Sequence, residues 1–211
     1  MRGVYLVTDR TLCGNKSLED VVFQALQGVV MCVQLREKDV STRFFVEEAR
    51  KIKALTAKFR VPLIINDRLD VALAGEADGV HIGQEDMPYA EARNLMGPQA
   101  IIGLSVETWD DVVQAEELDV DYLGVSPIFE TPTKTDTKGS WGLEGLARIK
   151  VYSRHPLVAI GGLNASNAAD AVMAGADGIA VVSAICAAPD PLHASRELHD
   201  IIQAALKKRV T

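Results

Sequence analysis

Ala74-Gly75-Glu76-Ala77-Asp78-Gly79-Val80 is echoed further along the chain by Ala174-Gly175-Ala176-Asp177-Gly178-Ile179. Each copy reads as the end of a helix, a glycine that can take the left-handed conformation closing it, and the start of a β-branched strand. Outward from the echo, the same alternation of strand and amphipathic helix fills the sequence. Strands are expected at Val4–Thr8, Val29–Leu35, Pro62–Asn66, Gly79–Ile82, Ala100–Leu104, Tyr122–Val125, Leu157–Ile160 and Gly178–Val182. Several are apolar almost throughout, as strands covered on both faces must be. Helices are expected between them. In Thr42–Phe59, Phe45, Ala49, Ile52 and Leu55 share a face; Thr108–Leu118 has an N-cap Thr with Asp110 and Asp111 in its first turn; Leu192–Lys208 ends among cations. Eight strand-helix units, with the echoes four units apart, imply an α/β chain folded as one (β/α)8 TIM barrel around a parallel sheet. An open doubly wound sheet would need a glycine-rich turn after the first strand, where Thr8-Asp9-Arg10 stands.

The 211 residues suit a single catalytic domain over 1–211, and 48% hydrophobic against 24% charged residues allows a sizeable core. Cys13, Cys32 and Cys186 match neither a disulfide framework nor a zinc site, and Cys32 and Cys186 are expected to be buried thiols. The N-terminus does not read as a signal peptide, and no apolar run approaches the ~20 residues of a membrane span, so a cytoplasmic protein without a membrane partner is expected. A net charge of -7 argues against nucleic acid. It also means that an anionic ligand would need local cations. A homodimer is compatible with the sequence.

In such barrels the ligand site is built from the C-terminal ends of the strands. Here those ends carry Gln34-Leu35-Arg36-Glu37-Lys38, Asn66-Asp67-Arg68, Gly83-Gln84-Glu85-Asp86, Ser105, Ser126 to Lys134, Gly161-Gly162 and Val182-Ser183. Gly161-Gly162 and Val182-Ser183 occupy the positions of the common barrel phosphate site, where glycines let a phosphate approach backbone N–H groups. A plain tight turn is the alternative. Arg36, Lys38 and Lys134 supply the local cations. Asp67 and Asp86, ending adjacent strands, offer the hard-oxygen pair that suits Mg²⁺; helix capping by each is the competing reading. His81 reads as a satisfied core group, and His155, His193 and His199 as surface residues. The long connection Ser126–Ser140 is expected to close over bound ligand.

Six segments in order, Tyr5-Leu6-Val7-Thr8-Asp9, Gln34 to Lys38, Ile65 to Arg68, Asp78 to Asp86, Thr131-Pro132-Thr133-Lys134 and Ile160-Gly161-Gly162, resemble the thiamine-phosphate synthase family over essentially the whole chain. The resemblance implies an enzyme with two phosphorylated substrates, a hydroxymethylpyrimidine diphosphate and a hydroxyethylthiazole phosphate, joined with release of pyrophosphate. It implies that Gln34, Leu35, Arg36, Glu37, Lys38, Asn66, Ser105 and Lys134 hold the pyrimidine diphosphate, with Arg36, Lys38, Lys134 and Ser105 the catalytic groups. Asp67 and Asp86 would hold Mg²⁺, and Thr131, Pro132, Thr133, Gly162, Val182 and Ser183 the thiazole phosphate. The chemistry suits those residue types, because a leaving diphosphate needs cations while the thiazole nitrogen has no proton to lose. One departure is Glu130, where family members often carry Pro; an acid beside two anions must point outward or find a cation. A thiazole tautomerase-like barrel, the nearer alternative, needs a His two residues after the strand-5 Ser, where this chain has Glu107. A non-catalytic phospholigand-binding regulator on the same fold is the other.

Overall fold

The computed structural model describes residues 1–130 and 139–210. Eight parallel strands close into one barrel in chain order: β1 (Gly3–Val7), β2 (Val30–Leu35), β3 (Leu63–Asn66), β4 (Gly79–Ile82), β5 (Ile101–Val106), β6 (Tyr122–Val125), β7 (Leu157–Ile160) and β8 (Gly178–Val181). Closure is made by β1, whose Val4 is paired with Val30 of β2 and Ile179 of β8. Around the sheet lie α1 (Leu18–Gln27), α2 (Thr42–Phe59), α3 (Leu69–Ala74), α4 (Tyr89–Met96), α5 (Trp109–Ala115), α6 (Gly142–Tyr152), α7 (Ala168–Met173), α8 (Ser183–Cys186) and α9 (Pro191–Val210). None of the described helices is long and apolar enough to cross a membrane.

Local sequence explains where the helices start. Ser17 and Ser41 accept hydrogen bonds from Asp20 N and Phe44 N at the heads of α1 and α2. Thr108 and Asp111 cap α5 reciprocally, each side chain accepting from the other's backbone N–H. The echo resolves into two different turns. Gly175 does take a positive φ of 126°, but in the first copy, one residue longer, Glu76 takes the left-handed conformation at φ 54° and Gly75 does not. Gly75 is required by contact instead, since a Cβ there would lie 2.8 Å from that of Ala49 on α2.

Strand alternation sorts the core into two shells. Val4, Leu6, Val33, Leu35, Leu63 and Ile65 face the helices, whereas Tyr5, Cys32, Ile64, Tyr122, Val158 and Ala180 fill the barrel interior. Each fully buried aliphatic side chain contributes about 1.5–3 kcal/mol of transfer free energy. All three cysteines are buried and none is in a disulfide.

Three sequence expectations need correction. β5 runs on to Val106 because Ser105 and Val106 still pair with Gly124 and Val125, so Ser105 lies inside the strand and not beyond it. β8 stops at Val181, and Val182 is the cap of the short helix α8. His155 is buried, not a surface residue: its Nε2 lies 3.1 Å from the carbonyl of Ala115 at the end of α5, which also accepts from Leu118 N at 3.0 Å. Thr131, Pro132, Thr133 and Lys134 lie outside the described residues, and with them most of the segment expected to close over ligand.

Candidate active site

A cavity of about 390 Å³ opens at the C-terminal ends of the strands. Gln34, Arg36, Lys38, Asn66, Asp67, Asp86, Ser105, Gly162, Val182 and Ser183 all line it. Leu35 and Glu37 do not, for a reason of period: on β2 and its extension, Gln34, Arg36 and Lys38 face inward, so the intervening side chains face out. Leu35 is fully buried against the helices, and Glu37 is taken by Arg10, whose Nη2 lies 2.9 Å from Glu37 Oε1 and 2.5 Å from Glu48 Oε2. Both therefore fall outside the binding list as side chains.

The two carboxylates are brought face to face. Asp67 follows β3 in the left-handed region at φ 61°, a conformation that costs a non-glycine residue roughly 1 kcal/mol or more, although Asp tolerates it better than most. Its N–H is tied to the carbonyl of His81 at 2.8 Å, and its Oδ2 meets Lys38 Nζ at 2.8 Å. Asp86 Oδ2 accepts from Gly83 N at 2.7 Å. Burial pushes the Asp86 carboxyl above the usual range; the Gly83 N–H opposes this, and the nearby Asp67 charge adds to it. The helix-capping alternative does not hold for Asp67, since α3 starts with no side-chain cap.

The charge balance of the cavity is unusual for a site meant to receive anions. Asp67, Glu85, Asp86, Glu107 and Asp111 line it, against Arg36 and Lys38 among the described residues. Asp111 is spent on the α5 cap. The Arg36 guanidinium has no hydrogen bond or ion pair with any described residue, while its backbone N–H is fixed by Thr8 Oγ1 at 3.0 Å. Among the described residues no three metal-ligating side chains cluster, so a cation here would be held by the Asp pair and complete its shell with water and ligand oxygens.

On the opposite wall, Gly161 and Gly162 have φ of 102° and 67°. The chain after β6 lies directly on them: a Cβ on Gly161 would be 2.6 Å from Pro127 Cβ, and one on Gly162 would be 2.8 Å from Phe129 Cβ. The glycines thus serve this close crossing, and they also present their backbone to the cavity beside Val182 and Ser183. Glu130 is exposed, and Lys134 and Lys138, the cations nearest to it in sequence, lie outside the described residues.

The floor contains residues that the sequence did not single out. Gln34 Nε2 donates to Tyr5 Oη at 2.9 Å, and Tyr5 and Tyr122 join their hydroxyls at 2.7 Å. Tyr122 Oη lies 2.9 Å from His81 Nδ1, and His81 Nε2 lies 2.8 Å from Ser105 Oγ. His81 is satisfied, as expected, but by groups that line the site. The available signal was parity: Tyr5 and Tyr122 sit at inward positions of apolar strands, where a hydroxyl needs a partner.

Comparison with known proteins fits this geometry. The family model for thiamine monophosphate synthase matches residues 4–185. The thiamine-phosphate synthase of Albidiferax ferrireducens is 56% identical over 201 residues, covering 95% of this chain and 92% of that protein. The thiamine-phosphate synthase of Leptospira biflexa is 52% identical over 204 residues, covering 95% and 97%. Among solved structures, thiamine phosphate pyrophosphorylase from Pyrococcus furiosus superposes with a TM-score of 0.89 at 39% identity, over 97% of this chain and 96% of that one.

Proposed function

The chain belongs to the thiamine monophosphate synthase family and is a thiamine-phosphate synthase, and from that premise we propose how the cavity divides the work. The whole chain, 1–211, acts as one catalytic domain. Arg36, Lys38, Asn66, Gln34 and Ser105, with Lys134, take the hydroxymethylpyrimidine diphosphate. Gly162, Val182 and Ser183, with Thr131, Pro132 and Thr133, take the phosphate of the thiazole. Asp67 and Asp86 hold Mg²⁺, which when bound neutralises charge on the diphosphate. The observation that carries this division is the left-handed Asp67, which turns its carboxylate onto Asp86 and Lys38 instead of away from them. The donor set fits a hard cation: two carboxylates lie close together, and Lys38, ion-paired to Asp67, is the one described cation bonded to either of them.

The reaction is a substitution at the pyrimidine methylene carbon. The C–O bond to diphosphate breaks, a C–N bond to the thiazole nitrogen forms, and no proton is transferred. No general base is needed. The chain's task is to receive charge and exclude water. Arg36 and Lys38, placed at the strand ends, stabilise the leaving diphosphate as its charge grows. The ring sits over a floor of Tyr5, Tyr122, Val158 and Ala180, whose apolar surfaces keep water from capturing a cationic methylene carbon. A cytoplasmic location is part of the same reading, supported by three buried cysteines without a disulfide.

A mass-spectrometric product assay with both substrates tests the proposal. Thiamine phosphate and pyrophosphate should form in equal amounts with Mg²⁺ and cease in chelator. Turnover in chelator by an Asp67→Ala, Asp86→Ala variant would remove the metal assignment.

A further inference from the structure

The interior hydrogen-bond chain from Gln34 to Ser105 has room made for it. A Cβ at Gly103 would lie 2.1 Å from Tyr122 Cζ and 2.5 Å from His81 Nδ1, and one at Gly124 would lie 2.8 Å from His81 Cε1. Neither position admits a side chain, so two adjacent strands, β5 and β6, are hollowed to seat the His81 and Tyr122 rings, which stack at 5.5 Å with 25° between planes. Filling this space with apolar side chains would be the simpler way to build a barrel interior. The polar chain is there at the expense of that packing.

Its polarity follows from counting protons. Four links need four, and Gln34 spends one of its amide protons on Tyr5. If Tyr5 then donates to Tyr122 and Tyr122 to His81 Nδ1, a neutral His81 carries its proton on Nε2 and donates it to Ser105 Oγ. Every interior proton is used, and the proton of Ser105 is left for the cavity. The opposite order makes Tyr5 accept from both Gln34 and Tyr122. Its own proton, on a side chain 1% exposed, would then have only the sulfur of Cys32, a weak acceptor. Buried donors are not left so poorly matched.

We propose that Tyr5, Tyr122 and His81 are positioning residues: their relay fixes His81 as the neutral Nε2–H tautomer and directs the Ser105 hydroxyl proton into the cavity, as donor to a ring nitrogen of the aminopyrimidine. The catalytic consequence rests on the cavity being the pyrimidine site; the tautomer does not. A neutral imidazole under the ring also adds no positive charge where the methylene carbon turns cationic. Gln34 and Ser105, the two ends of the relay, are thereby set as a pair before ligand arrives.

Long-range ¹H–¹⁵N correlation spectra of histidine-labelled protein report the tautomer, with His81 assigned by its loss in His81→Asn. The wild-type protein should show Nε2–H. Tyr122→Phe should release Nδ1, give mixed tautomers, and lower kcat by about tenfold, one hydrogen bond's worth, with KM for the thiazole phosphate unchanged. Tyr5→Phe leaves the Tyr122–His81 link in place, so it should keep the tautomer and lower kcat less. A wild-type His81 that is Nδ1–H or protonated at neutral pH would overturn the proposal, whatever the variants do. So would Tyr122→Phe with unchanged kcat. Absence of synthase turnover in the wild-type protein would strike the functional reading instead, and the tautomer would still judge the relay.

Discussion

The two ends of this barrel use the same residue types to opposite effect. At the N-terminal end of the strands, three aspartates repeat one arrangement. Asp78 accepts Leu63 N at 2.8 Å and Lys53 Nζ at 2.5 Å; Asp121 accepts Ile102 N at 2.8 Å and Arg93 at 2.9 Å. Asp177 accepts Leu157 N at 3.0 Å, Lys150 at 2.8 Å and Arg209 at 2.8 Å. Each pins the start of one strand to the next and is neutralised by a cation from the surrounding helices. At the C-terminal end, Asp67 faces Asp86, and Arg36 has no described partner. Burial raises Asp177 too, yet the bonds from Lys150 and Leu157 outweigh it and hold that carboxyl below its usual range, whereas Asp86 ends above it. A satisfied carboxylate is structure. Asp86, held close to Asp67, has no ion pair with a described cation.

The contrast can be broken by mutation at each end. Asp67→Asn with Asp86→Asn should cost about 100-fold or more in turnover, as loss of charge stabilisation at a leaving group does. The same variant without metal should melt about 1–2 °C higher than wild type, because a repulsion is removed. Steady-state kinetics and thermal melts in chelator check both halves, and a lower melting temperature would mean that the pair is structural.

Asp177→Asn should do the reverse. It leaves Lys150 and Arg209 with a weakened partner in a half-dry site, so stability should fall by about 2–3 kcal/mol and Tm by roughly 5–10 °C. Turnover at 25 °C should stay within about twofold. The pH dependence has a definite sign. Since the folded Asp177 titrates below its unfolded value of about 3.9, its contribution is complete above that pH and is lost as pH falls through the folded value. Denaturant melts should therefore show the gap between wild type and variant closing below about pH 4. The smallest effect belongs to Glu130→Gln, at an exposed side chain, where KM for either substrate should move by less than about twofold.

The fold was legible because its signal is local and repeated. The echo around Asp78 and Asp177 marks two of the three strand-pinning aspartates, so the motif that reveals the barrel is also part of what holds it. The outward turn of Leu35 and Glu37 was legible too, had strand period been carried past the end of β2. The Gln34-to-Ser105 relay was not. It joins residues up to 117 positions apart, and its need for Gly103 and Gly124 becomes visible only when His81 and Tyr122 share the barrel interior. The burial of His155 against the end of α5 is likewise a matter of which surfaces meet, on which local sequence is silent.

Calorimetric titration of pyrophosphate into the protein tests most directly whether the C-terminal end is built around charges that a ligand satisfies. With Mg²⁺ present, the wild-type protein and Asp177→Asn should both bind pyrophosphate, while chelator, or Asp67→Asn with Asp86→Asn, should abolish binding. Equal binding by all three proteins with and without Mg²⁺ would contradict the account, because the facing carboxylates would then have no part in receiving the diphosphate.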